Sequence, residues 1–300
     1  MTEINVKKIL VGIDFSTFTD PLVHVASQLG KAFDSAVHLV HIVPPLELPL
    51  DPEGIISGWT SFSIEEELEK QAEESLLKLA EKLKADGVRE VDVFVLTGNP
   101  KEGYLSYAER IGADMGIIGS HGYSDLPKFL SLGGISEGII RGADFPVLVV
   151  KKLEDRADGF QEILLAVDFS ENSKKAALWA AYFADKLQSK VRALYVMPDF
   201  AKLALSSESK IELDRSEEKL RAEIEKRLTD WLADLGLSGA VPEVKKGDAD
   251  KNIAEASERA DLVIMGKRGQ SGLKRLFMGS ITEKVLRASR ADVLVVHQAS

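Results

Sequence analysis

The sequence contains no cysteine. Disulfides, thiolate nucleophiles and Cys-ligated zinc are therefore excluded, which suits a reducing compartment. Basic charge is not in excess either: 38 Lys and Arg stand against 48 Asp and Glu, a net charge of −10. General affinity for nucleic acid or an anionic membrane needs a broad basic surface, so neither partner is expected and any anion site must be local. No apolar run approaches the ~20 residues needed to cross a bilayer. The opening MTEINVKKILVGID lacks the apolar core and small-residue cleavage site of a signal peptide. A soluble, cytoplasmic protein is the expectation.

What is present is written twice. KILVGIDFS (Lys8 to Ser16) returns as EILLAVDFS (Glu162 to Ser170), an offset of 154 residues. IIGSHG (Ile117 to Gly122) returns as IMGKRG (Ile264 to Gly269), and the VLVV of Val147 to Val150 as that of Val293 to Val296, at offsets of 147 and 146. Three anchors in one order imply two copies of a single unit, in keeping with a chain of 300 residues. The shrinking offset places extra residues in copy one, in PPLELPLDPEGIISGWTSF (Pro44 to Phe62), read as a long loop insertion. Its apolar residues, Leu46, Leu48, Ile55, Ile56, Trp59 and Phe62, suggest a flap packed on its own domain or on the sister copy, or else a lid over a ligand or a docking surface for another protein. The charged stretch KKLEDRADGF joins the copies, giving domains 1–155 and 156–300.

Within each copy, β-branched runs alternate with amphipathic stretches. In copy one ILVGI, VHLVHIV, VDVFVL, MGIIGS and VLVV read as strands. Between them Ile64, Leu68, Ala72, Leu76, Leu79 and Leu83 share one helical face, with Ser63 and Glu66 as a capping box. Copy two repeats the helix with Ile224, Leu228, Trp231 and Leu235. The fold class is α/β: two tandem, doubly wound, five-stranded parallel-sheet domains. In such sheets ligands sit beyond the carboxyl ends of the strands where the winding reverses. If strands one and four flank that point, Asp14 or Asp168 after strand one shares a crevice with the glycines after strand four.

Those glycines carry the chemistry. Copy two reads GKRGQSGLKRLFMGS, with Gly266, two residues, Gly269, nine residues, then Gly279 and Ser280. Glycines let backbone N–H groups approach a phosphate, and the loop runs into a helix whose dipole favours an anion. Ser280 to Glu283 reads as a capping box, and Lys267, Arg268, Lys274 and Arg275 add local positive charge. The spacing is neither a Walker loop nor the dinucleotide fingerprint, which belongs after a first strand. Asp168 has two readings, an acceptor for ribose hydroxyls or an Asx turn into the next helix.

Gly-x-x-Gly, nine residues and Gly-Ser, between a first strand ending in Asp and a terminal VLVV, resembles the universal stress protein (UspA) family, over nearly the whole chain and twice. The resemblance implies a Rossmann-like, adenine nucleotide alpha-hydrolase-like fold and binding of ATP, or of AMP or ADP. It places Ala166 and Asp168 near adenine and ribose, and Val196 beside the base. Met265, Gly266 and Gly269 line the start of the phosphate loop, and Gly279, Ser280 and Ile281 close on the phosphates. It also implies pairing of domains through the last strand, here Val147 to Val150 with Val293 to Val296 as an intramolecular pseudo-dimer, with further homodimerisation open. The role it suggests is a stress-response sensor acting on an unidentified protein partner.

Copy one departs from the motif. Gly119 and Gly122 are followed by ten residues before Gly133, and Gly134 stands where the serine should be. Gly134 would serve as a helix cap, and Asp14, Ile42, Gly119, Gly122 and Gly133 form the weaker candidate site. His121 either contacts phosphate when protonated or is a solvent-facing loop residue. His38 and His41 read as surface or packing residues, since no ligand partner stands at metal spacing. No protein metal site and no catalytic set is expected; Mg²⁺ would ride on the phosphates. Two other functions stay open: a slow ATP hydrolase using Asp168 or His121, and an adaptor that binds no nucleotide.

Overall fold

The computed structural model describes residues 4–45, 55–121, 132–151, 159–199, 207–269 and 278–297, with backbone alone in 55–63 and 207–215. It divides into two compact units, the first ending at Asp155 and the second beginning at Arg156.

Domain 1 runs β1 (Lys8–Gly12), α1 (Thr19–Phe33), β2 (Ala36–Val43), α2 (Ile55–Ala85), β3 (Val91–Thr97), α3 (Pro100–Ile111), β4 (Met115–Gly119), α4 (Gly134–Gly142) and β5 (Val147–Val150). Domain 2 repeats it with β6 (Glu162–Val167), α5 (Glu171–Leu187), β7 (Lys190–Met197), α6 (Ser207–Asp234), β8 (Val241–Lys246), α7 (Ala249–Ala256), β9 (Leu262–Gly266), α8 (Ser280–Ala288) and β10 (Asp292–Val296). The strand orders are β3-β2-β1-β4-β5 and β8-β7-β6-β9-β10. Every pairing within these orders is parallel.

The winding thus reverses between β1 and β4 and between β6 and β9, as the paired glycine and aspartate anchors suggest. One device fixes that neighbourhood in both domains. Asp114, just before β4, accepts from the N–H groups of Lys7 and Lys8 at 2.7 and 2.9 Å. Asp261, just before β9, does the same for Gln161 and Glu162 at 2.9 and 3.0 Å. Each carboxylate ties the start of strand one to strand four, so their far ends open side by side.

Burial follows sequence pattern. VLVV in β5 and the VLVV that follows Asp292 in β10 are buried at every position, the continuous apolar run expected of a strand covered on both faces. The edge strand β3 instead mixes buried, half-buried and exposed positions. Helix α3 starts where NPKE predicts it: Asn99 Oδ1 accepts from the N–H of Lys101 and Glu102 at 3.0 and 3.2 Å, with Pro100 at the first helical position. It ends at Gly112 with φ +63°.

One boundary differs from the sequence expectation. Helix α2 begins at Ile55, so residues 55–62 of the supposed loop are helical and Ser63 is interior to the helix rather than its cap. The reason is visible in the sequence, where Ile55, Trp59 and Phe62 stand four and three residues apart, a helical spacing of their own on a different face from the Ile64 to Leu83 stripe. Residues 46–54, with Leu46 and Leu48, lie outside the described residues, as does any lid they would form.

Candidate functional site

In domain 2, β6 leads into a turn that aims a carboxylate at the switch point. Asp168 Oδ1 accepts from Ser170 N–H at 3.0 Å, the Asx turn foreseen as one reading. Ser170 then caps α5, its Oγ accepting from Ser173 N–H at 3.1 Å, and Ser173 Oγ accepts from Asp168 N–H at 3.2 Å. Between them Phe169 adopts φ +60°, a left-handed conformation costly for a residue with a Cβ. Its ring is held by Tyr195 at 5.2 Å, by Trp231 edge-on at 5.6 Å, and by the Arg227 guanidinium at 4.6 Å. The other oxygen, Asp168 Oδ2, lies so near Gly269 that a Cβ there would fall 2.5 Å from it.

Across the crevice, Gly266 ends β9 against Asn172: a Cβ would meet Asn172 Cβ at 2.7 Å and its backbone at 3.0 Å. Only glycine lets strand and helix approach this closely. Gly279 N–H donates to Lys267 O at 2.9 Å, closing the two limbs of the glycine loop at their base. Thr282 Oγ1 braces the same place, donating to Gly266 O at 3.1 Å and Lys267 O at 3.3 Å.

Helix α8 then opens toward the crevice with Gly279 as its N-cap and no side-chain cap. Two sequence expectations change here. Ser280 is the first helical residue rather than the cap, and Glu283 reaches forward to Arg287 at 3.2 Å instead of back to close a capping box. The cause is Gly279: in extended conformation (φ −65°, ψ 143°) it already makes the turn that Ser280 was expected to make. The first-turn N–H groups of α8 have no acceptor within the helix and present the positive end of its dipole.

Ala166, Asp168, Val196, Met265, Gly266, Gly269, Gly279, Ser280 and Ile281 all line one cleft of about 330 Å³. The basic cluster divides. Arg268 lines the cleft, whereas Lys267 is buried and is not among its walls; Lys274 and Arg275 lie outside the described residues. Ser173, Tyr195, Pro198, Ala249, Ile253 and Thr282 also line it and escaped the sequence reading. Tyr195 and Thr282 were findable through the repeat, because His41 and Ser136 occupy the matching places in copy one.

Domain 1 builds the same frame. Asp14 Oδ1 accepts from Ser16 N–H at 3.0 Å, and Phe15 has φ +55° with its ring 4.7 Å from His41. Gly133 N–H donates to Ser120 O at 2.9 Å, and Ser136 Oγ donates to Gly119 O at 2.7 Å. Gly133 is the N-cap of α4, again without a side-chain cap, so Gly134 is the first helical residue rather than the cap. Asp14, Ile42, Gly119 and Gly133 line one cleft of about 460 Å³; Gly122 lies outside the described residues.

With this geometry in view, the chain matches the family described as the Universal stress protein family over residues 5–151 and again over 159–297. The chain belongs to the universal stress protein family. A universal stress protein of Mycolicibacterium smegmatis is 27% identical over 293 residues, covering 96% of each chain. One from Methanocaldococcus jannaschii is 31% identical over 149 residues, which is 49% of this chain and 82% of that protein. A crystal structure of a universal stress protein from Archaeoglobus fulgidus superposes with a TM-score of 0.70 at 23% identity, covering 98% of this chain and 99% of that one. Two-domain relatives thus match end to end, and a shorter one matches about half.

The histidines of this universal stress protein can now be placed. His121 is buried rather than solvent-facing: its ring lies 6.4 Å from that of Phe18 in a stacked arrangement, and its Nδ1 is 3.0 Å from Ser120 Oγ. Phe18, where domain 2 has Asn172, draws the imidazole down. His41 Nδ1 lies 2.7 Å from Ile13 O and the residue forms part of the wall of the domain 1 cleft, whereas His38 packs edge-on to Tyr107 at 6.5 Å. Among the described residues no group of three or more His, Asp or Glu is arranged to hold a metal, and no helix is long and apolar enough to cross a membrane.

Proposed function

We propose that domain 2 binds ATP, or a related adenine nucleotide, in the cleft between β6 and β9, and that the protein acts as a cytoplasmic sensor whose occupied state is read by a partner. One observation carries the reading. The N-terminus of α8, which has no side-chain cap, and Arg268, Gly269 and Gly279 line a cleft whose walls also include Asp168. Helix N–H groups and a guanidinium suit phosphate oxygens. A carboxylate at the end of a strand suits ribose hydroxyls, and the apolar wall of Ala166, Val196 and Met265 suits a flat base. Mg²⁺ would be carried by the phosphates. Domain 1 enters the proposal as the weaker site, because no Lys or Arg lines its cleft among the described residues.

The role of the residues is holding. Asp168 commits one oxygen to its own turn, and Ser173 is engaged by Asp168 N–H. Calorimetric titration of the intact chain with ATP tests the reading. About one equivalent should bind, and Gly279→Val should abolish it while Gly133→Val leaves it in place, because a Cβ at Gly279 would already press on Lys267 O at 3.3 Å at the base of the loop. Undiminished binding in a folded Gly279→Val chain would overturn it.

A further inference from the structure

We infer that β3, the edge strand of domain 1, is a docking site for an extended peptide that alternates basic and apolar residues and adds to the sheet as a further strand. The inference is independent of the nucleotide cleft.

The ladder decides which groups are on offer. Val37 N–H donates to Glu90 O and Gly98 N–H to Val43 O, so the even-numbered residues of β3 bond to β2. In a parallel pair each strand alternates, and the N–H and C=O of Val91, Val93, Val95 and Thr97 therefore point away from the sheet. Such rows are ordinarily blunted by proline, lysine or bulges. The matching edge in domain 2 is blunted in that way, since β8 reads VPEVKK, with Pro242 lacking an N–H and Lys245 and Lys246 beside it. VDVFVLT in β3 has no proline, no lysine and a high content of β-branched residues.

The two flanks of β3 differ in chemistry. On the α2 side a groove of about 670 Å³ is lined by Glu66, Glu67, Glu69 and Glu73, with Lys70 the one base among its walls. On the α3 side Phe94, 39% exposed, lies against Tyr107 with ring centroids 4.7 Å apart. The Arg110 guanidinium covers both rings at 4.5 and 4.7 Å. An added strand sends alternate side chains to the two flanks, about 6.7 Å apart on each side, near the ~5.4 Å rise between successive turns of α2. Basic residues would meet the glutamates and apolar residues the Phe94 platform. A second copy of this chain is the poorer occupant: antiparallel pairing of two β3 edges would bring two glutamate rows together on one face.

The test is fluorescence anisotropy of a labelled Lys-Val-Lys-Leu-Lys-Val-Lys peptide with the full chain. Binding should weaken at least tenfold in Val95→Pro, which removes an outward N–H without breaking the β2 ladder, and in the double variant Glu66→Lys, Glu73→Lys. Two peptide forms, N-methylated at odd or at even positions, keep the inference falsifiable even where Val95→Pro fails to fold. One form blocks the bonds to β3 and should not bind; the other should bind as the parent does. Equal binding of both forms would reduce the interaction to charge and overturn the inference, as would binding unaffected by the glutamate reversals.

Discussion

The two clefts share a frame and differ in floor and rim. At the floor of domain 1, Tyr104 is buried under the sheet with its hydroxyl donating to Leu10 O at 3.0 Å, and glycines face it on both flanking strands. A Cβ at Gly12 would meet its ring at 3.1 Å, and one at Gly116 its hydroxyl oxygen at 2.5 Å. Domain 2 has Ile253, Ala166 and Val263 at the same three places, all buried. Volume lost on the helix is regained on the strands, which is how a close-packed core accommodates such an exchange. At the rim the exchange is of polarity: His121, Phe18 and Gly134 stand where domain 2 has Arg268, Asn172 and Ser280. Duplication thus preserved backbone geometry while floor and rim changed in compensated sets.

The floor gives the largest effect. Gly116→Val alone forces a side chain onto Tyr104 and Phe145 and should cost about 3 kcal/mol by denaturant unfolding. Tyr104→Ile alone should cost a similar ~3 kcal/mol, from a cavity and a lost hydrogen bond. With Gly12→Ala added, the triple variant should be less destabilised than the sum by at least ~1 kcal/mol. Strict additivity would break the claim that the three positions are one packing unit.

The rim comes next. Arg268→Ala should weaken ATP binding about tenfold, equivalent to ~1.4 kcal/mol, and leave adenosine binding unchanged, since a guanidinium meeting phosphate contributes a charge-assisted bond. The reciprocal exchange, His121→Arg with Gly134→Ser, should raise the affinity of domain 1 for ATP over adenosine. Equal losses for ATP and adenosine in Arg268→Ala would place the arginine away from the phosphates. A smaller contrast lies at the helix opposite. Asn99 caps α3 with two accepted hydrogen bonds, whereas Asp248 at the start of α7 makes no such bond. Asn99→Ala should therefore cost about 1 kcal/mol and Asp248→Ala clearly less.

How much of this the sequence discloses follows from the range of the forces involved. The strands were legible because burial on both faces demands unbroken apolar runs such as VLVV, and the crevice because Asp168 and the glycines stand at strand ends. The cap was misread: Ser280-Ile281-Thr282-Glu283 satisfies the capping pattern, yet Gly279 takes the cap geometry and Thr282, not Ser280, braces the loop. That outcome depends on the distance from Gly279 to Lys267, which no local pattern encodes. The solvent-facing reading of His121 failed for a related reason, because its ring packs against Phe18, far away in sequence. The start of α2 was legible in its periodicity and obscured by the prolines and glycines that precede it.

The last contrast separates the domains by pH. His38 on β2 is buried beneath Tyr107, with Asp92 3.5 Å away, and desolvation lowers its pKa against the opposing pull of Asp92, with Lys8 adding to the lowering and Glu90 opposing it. Domain 2 has Arg192 at the matching place, bonded to Glu243 at 3.0 Å and to Ala256 O at 3.1 Å. A histidine whose folded pKa lies below its ordinary 6.5 takes up its proton more readily when unfolded. Its contribution is intact above about pH 6.5 and declines as pH falls from there toward the folded value. Hydrogen exchange should accordingly show protection of β2 and β3 falling between pH 7.5 and 5.5 relative to β7 and β8. His38→Leu should remove that difference, and an undiminished difference in the variant would assign it to other groups.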